Sequence, residues 1–129
     1  MAQTGFRSGA RRRVALAAVV LGGLCWGQTA AAETFTWIVR SLYPYRVQLE
    51  FYSQDYDRAW PGGDNVYVLQ DDEFHQYVLN CESGEKICYG AWVDGDISTY
   101  WGSGYYGQEY CDSCCSTCDG GTRQTTLNP

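Results

Sequence analysis

Four cysteines fall within eight residues in the last third of the chain, in the stretch CDSCCSTC at 111–118. Sulfur at that density holds a metal, cross-links the chain, or cycles between thiol and disulfide. The spacing C-x2-C-C-x2-C places the thiols at i, i+3, i+4 and i+7, which is one stripe on a helix. Gly120 and Gly121 would end such a helix. Asp112, Ser113, Ser116 and Thr117 are mediocre helix formers, so a knot of turns competes with it. As a four-thiolate zinc site, Cys111, Cys114, Cys115 and Cys118 supply two C-x2-C halves, as many zinc sites do. Those halves are usually separated by a long loop; here they abut, and Cys114 and Cys115 would both have to reach one ion. A working redox C-x-x-C is normally housed in a βαβ setting, which this sequence lacks. Disulfides are therefore the primary reading, without a cofactor, and zinc is the alternative.

The amino terminus sets the compartment that favours cross-linking. Arg7, Arg11, Arg12 and Arg13 precede VALAAVVLGGL (14–24), and small residues follow in QTAAAE. That order reads as a secretory signal peptide spanning residues 1–32, with cleavage after Ala32. The apolar run is shorter than the roughly twenty residues a membrane span needs, so no membrane insertion is expected after cleavage. The expectation is export to the periplasm or the extracellular space. Cleavage would leave 97 of the 129 residues, enough for one modest core. It would also remove Cys25, leaving an even set: Cys81, Cys88, Cys111, Cys114, Cys115 and Cys118. An even count in a small exported domain is the mark of a disulfide framework.

The charge balance narrows the partners. Without the four leader arginines, five basic residues face fifteen acids, a net charge of about −10. Such a surface repels nucleic-acid backbones and anionic lipids. Neutral sugars, cations and basic proteins stay open as partners, and a monomer is expected.

The elements that must position the cysteines read as β. TFTWIV (34–39) is β-branched and aromatic. RVQLEFY (46–52) alternates, with Val47, Leu49 and Phe51 on one face and Arg46, Gln48 and Glu50 on a face expected to be wet. A loop follows at 53–65, then strands at NVYVLQ (65–70), FHQYVLNC (74–81), KICYGAWV (86–93) and ISTYW (97–101). Ser83-Gly84-Glu85 reads as the tip of a hairpin that sets Cys81 opposite Cys88, within disulfide reach. Within 111–118 the pairings left open are Cys111–Cys114 with Cys115–Cys118, or Cys111–Cys115 with Cys114–Cys118; a link from Cys81 and Cys88 to this cluster is the competitor. The fold class is mainly β: a small antiparallel sandwich or barrel-like domain over 33–122, with a cysteine-rich, irregular C-terminal segment and a flexible tail at 123–129.

Aromatic residues are abundant, with eleven tyrosines in the chain, and they gather beside glycine in YGAW (89–92) and TYWGSGYYG (99–107). Their first use is as core. Where rings lie over bare glycine backbone they also suit sugars and protein surfaces. Trp92, Trp101, Tyr105 and Tyr106 are the candidate ligand platform. Asp94 and Asp96, and the run Asp71, Asp72 and Glu73, read as solvated turns, and His75 as a surface strand position. Spacing selects no catalytic set. A small hydrolase with an acid pair is kept as a further alternative, since fifteen acids always supply a pair.

Taken together, GEKICYGAW (84–92), WGSG (101–104) and CDSCCSTC resemble a family of small exported proteobacterial proteins with a GEKICYGAW…WGxG…CxxCCxxC pattern. A similar module follows caspase-like peptidase domains in some bacteria. The resemblance covers roughly residues 34–120 and implies a secreted accessory domain without an assigned activity. The aromatic start and the WPGG loop are also similar to a thaumatin-like sandwich. The chain is thus expected to be a secreted, non-catalytic binding or interaction domain for a protein or glycan, stabilised by disulfides.

Overall fold

The computed structural model describes residues 22–23 and 31–129. Apart from Gly22, Gly23, Ala31 and Ala32, the expected leader lies outside the described residues, as does Cys25. Among the described residues are nine strands, in chain order: β1 (Ala32–Ser41), β2 (Val47–Ser53), β3 (Ala59–Trp60), β4 (Tyr67–Leu69), β5 (His75–Glu82), β6 (Lys86–Val93), β7 (Asp96–Gly102), β8 (Cys115–Thr117) and β9 (Thr122–Leu127). A 3-10 turn at Tyr105–Gly107 lies between β7 and β8. The proposed boundary after Ala32 falls at the first residue of β1.

The strands form two sheets, mainly antiparallel, and not a closed barrel. The smaller has the order β5-β1-β9. In the larger, β2 and β6 pair along seven residues, Val47 opposite Val93 through Ser53 opposite Ile87. β3 and β4 share the far edge of β2. β7 and β8 share the far edge of β6. Val47, Leu49 and Phe51 of β2, the face that alternation marked as apolar, lie with Phe35, Trp37 and Val39 of β1 in the core, all buried between the sheets. Trp37 stacks on Phe51 at 5.6 Å and meets Tyr89 edge-on at 5.5 Å, so one indole spans the two layers. Most of the aromatic surplus therefore serves as core.

Two topological expectations are corrected. First, β5 and β6 are not a hairpin. β5 pairs with β1 along eight residues, Ala32 opposite Glu82 through Val39 opposite His75, while β6 belongs to the other sheet. The turn at Gly84 (φ 87°), closed by Glu85 N–H donating to the Glu82 carbonyl at 3.0 Å, carries the chain from one sheet to the next. Each strand is occupied by a partner, β5 along eight residues by β1 and β6 along seven by β2, and these pairings bury apolar faces that a local turn cannot outweigh. Second, the end of the chain forms a strand: β9 runs parallel to β1, Thr36 opposite Thr122 through Ser41 opposite Leu127, and Leu127 is fully buried. The expected loose tail at 123–129 is replaced by this pairing because Leu127 completes the core.

The cysteine pairing follows from the sheets. Cys81 sits in the core on β5, whereas Cys88 is buried on the outer side of β6, so the Cys81–Cys88 bridge does not form. The bridges are Cys81–Cys118, joining the small sheet to the residue just after β8, and Cys88–Cys115, across the directly opposed residues of β6 and β8. Neither pairing internal to 111–118 occurs. The segment is turns and a short strand rather than a helix, so its sulfurs do not share one face.

Peptide mapping under non-reducing conditions is expected to recover Cys81–Cys118 and Cys88–Cys115 cross-links and no Cys81–Cys88 species. Cys118→Ser is expected to cost about 3 kcal/mol through the loop it reopens, read as a lower urea midpoint with the β spectrum retained.

Candidate functional site

The outer face of the large sheet carries Gln48, Glu50 and Tyr52 from β2 and Cys88, Gly90 and Trp92 from β6. Strand alternation marks this face as solvated. It is instead covered by residues 103–115, which leave β7 and fold back across it. Glycine makes that approach possible. A Cβ at Gly90 would stand 2.3 Å from the Gly104 carbonyl oxygen and 2.9 Å from the Tyr52 ring. The cover is fastened at Ser103, whose backbone N–H and hydroxyl both donate to the Tyr89 carbonyl at 2.9 Å. The Ser103 carbonyl in turn accepts from Glu109 N–H at 2.9 Å.

Three of the four platform candidates converge here. Trp92 is 1% exposed and lies beneath the cover, its Nε1–H donating to Gln48 Oε1 at 2.7 Å. Tyr105 meets it edge-on at 5.2 Å, and Tyr106 stacks over it at 6.0 Å with planes 30° apart. Tyr105 and Tyr106 also contact each other at 4.3 Å. Tyr106 holds φ 51° and ψ 30°, a left-handed conformation uncommon for a side chain of this size. The residue is 46% exposed. Trp101 is elsewhere: it opposes Ala91 on the inner face, packs edge-on against Tyr43 at 5.3 Å, and donates from Nε1 to the Asn128 carbonyl at 2.8 Å.

The residue that sequence reading missed is Glu50. It is 1% exposed, with the Tyr52 hydroxyl donating to Oε2 at 2.7 Å. Burial raises its carboxyl above the ordinary value, and the Tyr52 bond opposes this less strongly. The same pairing and burial raise the Tyr52 phenol. Beside them an open groove of about 450 Å³ is lined by Tyr52, Tyr56, Asp57, Arg58, Gly63 and Tyr106. Arg58 is anchored at the back of this groove by Glu85, whose side chain is fully buried. Arg58 Nε donates to Oε1 at 2.7 Å and Nη2 to Oε2 at 2.5 Å, a forked pair that neutralises the buried carboxylate. The guanidinium also lies 5.3 Å from the Tyr56 ring and 5.2 Å from that of Trp60. Neither partner was legible as a pair, because 27 residues separate them.

The remaining sequence candidates are dispersed. Cys115 and Cys118 are taken up in bridges, while Cys111 and Cys114 are thiols. Among the described residues no three His, Cys, Asp or Glu side chains gather as a metal cluster. Exposed Asp94 faces Arg46 at 3.4 Å. Asp96 accepts from the Ser98 and Thr99 hydroxyls, which lower its carboxyl. His75 Nε2 lies 2.6 Å from Asp71 Oδ1, and that bond lowers the Asp71 carboxyl. No family model, no characterised protein and no solved structure matches this chain.

Two outcomes follow from this packing. Between the ordinary carboxylate value and its raised folded value, Glu50 is protonated when folded and ionised when unfolded, so its contribution to stability falls as pH rises through that window. Glu50→Gln is therefore expected to melt higher than wild type near neutral pH, with the difference shrinking on acidification below the ordinary carboxylate range. Gly90→Ala is expected to destabilise by about 1–3 kcal/mol and to raise proteolytic cleavage within 103–115, detected by limited proteolysis.

Proposed function

We propose that this chain is an exported, non-catalytic binding domain whose recognition surface is the groove between Tyr106 and the 53–63 loop, and that its ligand is a neutral saccharide. Export is supported by the two disulfides, which persist in oxidising compartments. The leader read at residues 1–32 supports it independently. Among the described residues no helix is long and apolar enough to cross a membrane. The exported family that the sequence resembles fits the same reading.

The observation that carries the binding role is Tyr106. A bulky side chain in the left-handed region costs on the order of 1–3 kcal/mol and persists where the surroundings over-determine it, typically at ligand contacts. Here the backbone puts a stacked phenol at the rim of an open groove, between two glycines of positive φ, Gly104 and Gly107. Tyr52 and Tyr56 add aromatic faces, and Asp57 and Arg58 add planar hydrogen-bonding groups. Aromatic faces beside planar polar groups are the chemistry that a pyranose ring with equatorial hydroxyls takes up. The chain's acidity works against anionic ligands.

The test is a glycan array followed by calorimetry with the best neutral oligosaccharide. Tyr106→Ala is expected to weaken binding by about tenfold or more, the loss of one stacking contact, with the melting temperature changed little. Tyr110→Ala, at a residue 94% exposed outside the groove, is expected to leave affinity unchanged. An array without hits, alongside a protein captured by wild type but not by Tyr106→Ala, would keep the surface and replace the saccharide by a protein ligand.

A further inference from the structure

Among the described residues two thiols remain once the structural bridges are made, three positions apart in the chain. Cys111 is half-buried and Cys114 is 2% exposed behind it. Cys114 Sγ donates to the Cys111 carbonyl at 2.7 Å, and the Cys111 thiol itself lies 3.9 Å from Ser113 Oγ. The pair abuts the Cys88–Cys115 bridge, whose Cys115 sulfur lies 3.2 Å from the same Cys111 carbonyl. Cys111 opens on a hollow of about 190 Å³ lined also by Lys86, Cys88, Gln108, Asp112 and Cys115. Cys114 is absent from its lining. One thiol therefore faces solvent and the other waits beneath it.

The backbone around the pair is held on three sides. The Cys114 carbonyl accepts from Tyr89 N–H on β6 at 3.1 Å. Arg123 of β9 donates to the Ser113 carbonyl at 2.6 Å and to the Cys115 carbonyl. Lys86 Nζ meets Asp112 Oδ1 at 2.8 Å at the mouth of the hollow. Asp112 is a bend and Ser113–Cys114 a turn, so the two cysteines are joined by a short, fixed loop.

We propose that Cys111 and Cys114 are a dithiol–disulfide couple, oxidised by exchange with a low-molecular-weight disulfide, with Cys111 attacking and Cys114 resolving. In the first step the Cys111 thiolate attacks one sulfur of glutathione disulfide. A Cys111–glutathione bond forms, the glutathione S–S bond breaks, and one glutathione leaves as thiolate. In the second step Cys114, as thiolate, attacks the Cys111 sulfur, the mixed bond breaks, and a second glutathione leaves. Two protein thiols are oxidised to one disulfide, one glutathione disulfide is reduced to two thiols, and the two protons pass to the leaving thiolates. Burial and the adjacent Cys111 thiol push Cys114 up to about 12, which keeps it protonated while Cys111 makes the first attack. Closure of this bridge would tighten the segment that covers Glu50 and Trp92, so the couple sets how firmly the aromatic face is held. This assignment is independent of which ligand the groove takes.

The experiment uses the full chain with both structural bridges intact, equilibrated in glutathione buffers from reducing to oxidising, then alkylated and mapped. Alkylation at 111 and 114 is expected to pass from complete to none in wild type, with a Cys111–Cys114 cross-link and unchanged Cys81–Cys118 and Cys88–Cys115 links. Cys114→Ser is expected to retain glutathione on Cys111, and Cys111→Ser to hold at least about tenfold less adduct under the same conditions. Equal adducts on the two variants, an oxidised wild type linking Cys111 to Cys88 or Cys115, or thiols that stay alkylatable in the most oxidising buffer would overturn the assignment. The wild-type map needs no substituted protein to fold.

Discussion

The Cys81–Cys118 and Cys88–Cys115 bridges fasten to the sandwich a segment that has little apolar surface of its own. Between Gly102 and Gly121 the chain is mostly glycine, serine, aspartate and cysteine. Ordering such a backbone costs on the order of 1–2 kcal/mol per residue, and burial along this stretch cannot offset it. Each bridge removes loop entropy from the unfolded chain instead, about 3 to 4 kcal/mol for loops of this length. Once β8 is tethered to β6, the preceding residues have nowhere to run except across the outer face of the large sheet.

That constraint explains the polar interior. A face patterned for water becomes a second small core, and Glu50 is trapped in it with one phenolic donor. Glu85 is treated differently: its buried carboxylate receives a forked guanidinium, so charge and lone pairs are met together. The first arrangement favours a neutral acid, and the second preserves an ion pair that would be strongly destabilising to break from one side. Arg123 completes the fastening from the other direction. It is opposite Trp37 in the parallel pairing, its guanidinium lies 5.4 Å from the indole, and it donates to carbonyls on either side of Cys114. The aromatic patch and the thiol pair are therefore neighbours on one cover, held by the same two strands.

Local pattern carried the strands well. β6 spans Lys86–Val93, as its run of apolar residues implied, and β2 buries Val47, Leu49 and Phe51, as alternation required. Period-2 patterning reports which side chains share a face, and it does so without reference to any partner. The hairpin inference at Gly84 failed for the complementary reason. A turn signal specifies a change of direction, while the choice between pairing back and crossing to another sheet depends on competing strands elsewhere in the chain.

From the residues alone, then, came the class of fold, the inward faces of the strands and the need for covalent stapling, because these follow from side-chain chemistry and spacing along one dimension. Tertiary structure alone decided which cysteines meet, that Glu50 is dry, that Trp101 leaves the aromatic cluster and that Cys111 and Cys114 remain thiols. Each of these depends on contacts between segments tens of residues apart, such as the 37 that separate Cys81 from Cys118. A local pattern can mark a residue as outward-facing, but only the folded chain determines whether water or another segment lies outside it.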